Sequence, residues 1–269
     1  MAAASRAAVT LLGVCYDASS SFEPGTAGGP AEIRRALSRA SSNPWTEGGI
    51  DLTAAGVLDD AGDITPAAGA DGRSEIERAV KRIFDAGGRP LVLGGDHSIT
   101  YPLVRAARAR YPSLSVLHID AHGDLYDQID GDRYSHGCPM ARIMEAGLAD
   151  RLVQLGIRTL NDHQREQARR FGVEIVEMQD WTGPVPVRFH GPVYITLDVD
   201  AVDPAFAPGV AHPEPGGFSV RELLRQLRLV EGTVIGADLV ELNPRNDLSP
   251  RSALVCAKLV KALVDLMTP

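Results

Sequence analysis

Ser115-Val-Leu-His-Ile-Asp120-Ala-His122-Gly-Asp124 carries the key to this chain. Residues 115–119 form an apolar run, and it leads without a break into Asp120, His122 and Asp124. While the backbone stays extended, residues 118, 120, 122 and 124 share one face. Two carboxylates and an imidazole therefore gather in a small volume at the end of a strand. Unpaired carboxylates held together repel each other and lose hydration. Divalent cations remove that cost.

Two more stretches repeat the arrangement. The apolar residues 90–93 run into Gly94-Gly95-Asp96-His97-Ser98, and residues 193–197 run into Asp198-Val-Asp200. Further short runs rich in Val, Ile and Leu lie at 9–14, 152–156, 173–177 and 234–240. Helical spacing of apolar residues falls between the runs, at 31–37, 74–86, 101–110, 161–171 and 221–230, and residues 252–267 read as a closing helix. Strands without polar alternation are buried on both faces, so the sequence predicts an α/β fold with a parallel sheet covered by helices. In such sheets ligands bind beyond the carboxyl ends of the strands, and all three clusters map there. The Gly-, Ser-, Asp- and Pro-rich segments 17–30 and 41–64 read as active-site or interface loops.

His97, Asp120, His122, Asp124, Asp198 and Asp200 together supply two imidazoles and four carboxylates. Four negative charges balance two divalent ions. Oxygen and nitrogen donors without thiolate suit manganese, and cobalt, nickel or catalytic zinc also accept such a set. Two ions roughly 3.5–4 Å apart can share a water and lower its pKa toward neutrality. That makes a hydrolase for an electrophilic carbon or phosphorus, and spacing alone leaves both open.

Bulk properties narrow the class. The 269 residues are 44% apolar, enough for one large domain spanning residues 1–269. The balance of 27 basic and 35 acidic residues gives a net charge of -8, which favours neither nucleic acid nor an anionic membrane as partner. No run of about 18 apolar residues suggests a membrane span. The Ala-rich start with one Arg is a weak signal-peptide pattern, and residues 7–14 read better as a first buried strand. Cys15, Cys138 and Cys256 are odd in number and far apart, which points to a reducing compartment, the cytoplasm.

The three motifs at 94–98, 120–124 and 198–209, with residues 20–34 and Glu241-Leu-Asn-Pro244, resemble the ureohydrolase family of arginases and agmatinases. Residues 134–148 and 204–217 are most similar to plant-type arginases and bacterial agmatinase-like relatives. The resemblance implies a three-layer α/β/α sandwich with a central, mostly parallel eight-stranded sheet, and a homotrimer or homohexamer. It also implies two manganese ions per subunit and hydrolysis of a guanidino group to urea and an amine. By the same resemblance the six residues above are the metal ligands, and Asp124 carries a proton to the leaving amine. His136 is the proton shuttle, and Glu241 holds the guanidinium.

Departures from the family pattern bear on the substrate. Tyr126 stands where animal-type arginases place an asparagine that binds the substrate's α-carboxylate. His212 stands where many relatives have threonine. The loop 127–134 carries four acidic or amide residues and one base, Arg133. An acidic mouth suits the cationic tail of agmatine, which ranks agmatine first, arginine second, and guanidinobutyrate or guanidine third. The rival classes are an inactive ureohydrolase-like partner subunit, a deacetylase with a single metal, and a metallophosphoesterase.

Overall fold

The computed structural model describes residues 9–268, so the first two residues of the expected 7–14 strand lie outside the described residues. In chain order the strands are β1 (Val9–Val14), β2 (Leu58–Ile64), β3 (Arg89–Leu93), β4 (Ser115–Ile119), β5 (Arg151–Ile157), β6 (Glu174–Glu177), β7 (Val187–Asp198) and β8 (Val230–Val240). They pair into one sheet in the order β2-β1-β3-β8-β7-β4-β5-β6. Every neighbouring pair is parallel.

Among the described residues, seven helices cover the sheet: α1 (Gly29–Leu37), α2 (Gly69–Asp85), α3 (Thr100–Arg110), α4 (Pro139–Glu145), α5 (Asp162–Phe171), α6 (Val220–Leu227) and α7 (Arg251–Met267). Alternate strand residues feed two cores. Leu91, Leu117, Ile195 and Leu239 pack with Ile33 of α1, Leu223 of α6 and Leu259 of α7 on one face. Val92, Val116, Tyr194 and Ile235 pack with Val80 of α2, Leu103 of α3, Ile143 of α4 and Ala168 of α5 on the other. Both faces of each central strand are therefore dry, which is why those strands read as mostly apolar runs. The result is the expected three-layer sandwich.

Two elements differ from the sequence expectation. The segment 41–64 contains β2, where a loop was expected. Five of the seven β2 residues are exposed, so no apolar run marks it. It is an edge strand held by backbone pairing to β1 and by Arg34 of α1, which grips Asp60 at 2.8 Å through two nitrogens and also pairs with Asp63. Helix α4 is also additional; it has Pro139 in its first turn and is too short for its spacing to stand out. No helix among the described residues is long and apolar enough to cross a membrane.

The sheet order places β3, β8, β7 and β4 side by side. The segments that follow them are Gly94–Ser98, Glu241, Asp198–Asp200 and Asp120–Asp124. Residues far apart in sequence thus meet at one carboxyl edge, where the chain reverses its direction of travel across the sheet.

Candidate metal centre

Each segment is fixed locally. After β3, Gly95 packs so closely under Tyr16 that a Cβ would sit 1.6 Å from its carbonyl oxygen. The glycine pair thus serves close approach of two chain segments, not a left-handed turn. Asp96 then caps the turn that holds His97: its carboxylate accepts the N–H of Ser98 at 3.1 Å and of Ser19 at 2.9 Å. After β4 and β8 the chain twists sharply, so that Asp124 and Glu241 adopt φ of 49° and 67°. Non-glycine residues rarely do so, and backbone strain of this kind gathers at functional sites.

The six residues converge on two positions. Nδ1 of His97 lies 3.1 Å from one carboxylate oxygen each of Asp120, Asp124 and Asp198. This buried nitrogen has no hydrogen-bond partner, although three acceptors surround it. Nδ1 of His122 lies 2.9 Å from Oδ2 of Asp200 and 3.4 Å from Oδ1 of Asp120. Asp120 therefore presents Oδ2 to the His97 position and Oδ1 to the His122 position, and the two share it. Asp198 and Asp200 each commit one oxygen to a backbone N–H, of Asp200 at 2.8 Å and of Ala121 at 3.1 Å. Their other oxygens face the ring nitrogens. A set of mutually repelling oxygens around an unpartnered imidazole nitrogen fits a pair of divalent cations.

The electrostatics agree. Burial and the neighbouring carboxylates push Asp198 well above the usual carboxylate range and raise Asp200 as well. Burial would lower the pKa of His122, but Asp200 and Asp120 reverse this and lift it to about 12. Without metal, the site takes up protons where positive charge is needed.

A second tier lies directly beneath. Gln154 of β5, His118 of β4, Thr196 of β7 and Asp238 of β8 occupy one register level across four adjacent strands. All four are completely buried. Nε2 of His97 reaches Oγ1 of Thr196 at 2.8 Å, and that hydroxyl donates to Asp238 at 2.6 Å. Nε2 of His118 reaches Oδ2 of Asp120 at 2.7 Å. Sequence reasoning placed His118 on the shared face but gave it no role; Gln154, Thr196 and Asp238 it did not single out. A polar residue inside an otherwise apolar strand was the available signal.

A cavity of about 260 Å³ opens over the centre, lined among others by Ser21, Tyr126, His136, Thr159, His212 and Glu241. Nδ1 of His136 sits 3.5 Å from Oε1 of Glu241, and its Nε2 is 2.8 Å from the hydroxyl of Ser21. The His212 ring stacks on His136 at 5.0 Å. Its pKa is lowered, by burial first and then by the cationic His136. Tyr126 accepts a hydrogen bond from Nδ2 of Asn161 at 2.9 Å and stacks on His163 at 6.0 Å. Arg133 does not line this cavity. Its guanidinium is tied to Asp127 at 3.0 Å and to Glu145 at 2.8 Å. Asp127 also binds Arg142 at 2.9 Å, so one of the three aspartates in the loop expected to form an acidic mouth is neutralised.

The Arginase family pattern matches residues 7–265. The chain is 44% identical to arginase 1, mitochondrial, of Arabidopsis thaliana, over 96% of this chain and 80% of that protein. It is 32% identical to an agmatinase of Bacillus anthracis, over 95% of this chain and 90% of that one. The solved structure of arginase from Medicago truncatula superposes with a TM-score of 0.90 at 40% identity, covering 97% of this chain and 87% of that one.

Proposed function

The chain belongs to the arginase family of metal-dependent ureohydrolases, and on that ground we propose that it hydrolyses arginine to ornithine and urea. The observation that carries the reading is the placement of Glu241 and His136 against the two metal positions in one cavity. Divalent ions bound there, proposed to be manganese, would supply a water of lowered pKa as nucleophile and polarise the carbon it attacks. The protein's own groups do the rest. Burial would push the Glu241 carboxyl up, but His136 and the His97 N–H outweigh it and hold it ionised. An ionised carboxylate pairs with a planar guanidinium in two directed hydrogen bonds and so fixes the carbon over the centre. Asp124 lies at the His97 position, where it can hold the proton released by water and pass it to the departing amine. His136 bridges that interior to the exposed Ser21 and exchanges protons with solvent.

Two features favour arginine over agmatine, reversing the order expected from sequence. Asp127, one of the three aspartates of the mouth that would have attracted a second amine, is paired with Arg133 and Arg142. Tyr126 also presents a donor. Oδ1 of Asn161 accepts the N–H of Gln164 at 2.9 Å, which fixes the other amide atom as nitrogen. That nitrogen donates to the Tyr126 oxygen, so the phenolic proton is free for an acceptor such as an α-carboxylate. The identity to the plant arginase exceeds that to the agmatinase, which supports the same order.

The complete ligand set with Glu241 and His136 speaks against an inactive partner subunit. A cytoplasmic homotrimer or homohexamer completes the proposal. Urea release from arginine, agmatine, guanidinobutyrate and guanidine, each after loading with manganese or nickel, tests it. Turnover led by arginine supports the reading, and no urea from any of the four overturns it.

A further inference from the structure

We propose that Gln154 and His118 form a positioning pair that holds the carboxylate shared by the two metal positions, a role separate from ligation. The inference rests on the two-metal reading of the site and extends it to residues that bind neither ion.

The hydrogen-bond directions follow from one fixed acceptor. The side-chain amide of Gln154 lies 2.7 Å from the carbonyl oxygen of Gly123. A carbonyl only accepts, so the Gln154 atom there is the NH2 group. The same nitrogen is 2.8 Å from Nδ1 of His118. An NH2 group has two protons, one for each partner. Nδ1 of His118 is therefore a bare acceptor, and the ring proton resides on Nε2. That proton points at Oδ2 of Asp120, 2.7 Å away. Both nitrogens of His118 are thus engaged. Although His118 lies within reach of the first cluster of potential ligands, it acts as a neutral donor to one of them.

The pair controls two things at once. The N–H of His118 pins the carboxylate oxygen that faces the His97 position, so Asp120 cannot rotate away when one ion leaves. The Gln154 amide also holds the carbonyl of Gly123, the residue between His122 and Asp124, so the same residue steadies the loop that carries these two proposed ligands. Both residues are fully buried and paired across β4 and β5 in register, which leaves the donor little freedom. Partners of this kind orient metal-ligating side chains, and their removal typically costs about 10–100-fold in metal affinity.

Manganese titrated calorimetrically into chelator-stripped protein tests the pair without reference to substrate. His118→Phe keeps the ring and deletes the donor; His118→Gln keeps an N–H within reach of Asp120. Wild type should take up two ions per chain. His118→Phe should bind one of them about 10–100-fold more weakly, and His118→Gln should recover to within a few fold. Gln154→Leu, which frees the His118 ring and the Gly123 carbonyl, should shift affinity in the same direction as His118→Phe. Circular dichroism melts of the stripped proteins separate this from misfolding. Two ions bound by a folded His118→Phe with unchanged affinity overturn the proposal, as does a His118→Gln variant as weak as His118→Phe. A wild-type chain that binds only one ion overturns it too, by removing the shared carboxylate itself. Urea turnover is read separately, so failure of the arginine assignment would leave these affinities unchanged.

Discussion

Oε1 of Glu241 accepts the backbone N–H of His97 at 2.8 Å. The residue proposed to hold the substrate's guanidinium is thus tied to the first metal-facing histidine, across β8 and β3. One oxygen of Glu241 thus holds the backbone of a metal-facing residue, and Glu241 itself adopts a left-handed backbone with φ of 67°.

Glu241→Gln keeps an oxygen for the His97 N–H but loses the charge that the guanidinium needs. Hydrogen bonds to charged groups contribute about 1.5–3 kcal/mol, so kcat/KM should fall roughly 10–150-fold while manganese content is unchanged. Glu241→Ala should lose metal as well, because the His97 N–H is then buried without a partner. Steady-state kinetics alongside elemental analysis separate the two effects.

Tyr126→Phe removes the phenolic proton but preserves the stack on His163. If that proton meets the α-carboxylate, kcat/KM for arginine should drop by about 10–150-fold, the range of a hydrogen bond to a charged group. Agmatine, which lacks the carboxylate, should be unaffected. Equal losses on both substrates would assign Tyr126 to packing alone.

In the metal-free protein, burial lowers the pKa of His136, but its bond to Glu241 and the nearby Asp124 and Asp96 charges outweigh this and raise it to about 9. A folded value above the unfolded one means that protonated His136 stabilises the fold. That contribution is complete below the unfolded value of about 6.5 and is lost as pH rises through about 9. Proton NMR of the stripped protein should show this titration, and Glu241→Gln should move it down. A His136 ring titrating near 6.5 in the wild type would contradict the ion pair.

Gly95→Ala drives a methyl group into the Tyr16 carbonyl, 1.6 Å from the ideal Cβ. Backbone must move to accept it, at a cost of about 1–3 kcal/mol or more. The same movement displaces His97, two residues on. Chemical denaturation should show the lost stability, and the surviving folded protein should hold less metal.

The fold and the centre were legible in the sequence to different depths. Seven strands announced themselves through short, mostly apolar runs at β1 and β3–β8, which in the central strands reflect cover on both faces of the sheet. Edge strand β2 stayed hidden because its side chains answer to Arg34 and solvent, not to a core. The six metal-facing residues were legible because each cluster follows its strand directly, so position in sequence fixes position at the sheet edge. The tier beneath them was not. His118, Gln154, Thr196 and Asp238 meet only through the registers of β4, β5, β7 and β8, which local sequence does not encode. The pairing of Arg133 with Asp127 and Glu145, outside the cavity lining, was hidden for a related reason.

The direct test of the two-metal centre is the number of ions bound per folded chain, measured by elemental analysis after loading with manganese and removal of free ions. Wild type should hold close to two. Asp200→Ala, which strips a carboxylate from the His122 position alone, should hold close to one. A wild-type value of one or less, or an Asp200→Ala value equal to wild type, would contradict the assignment of two positions bridged by Asp120.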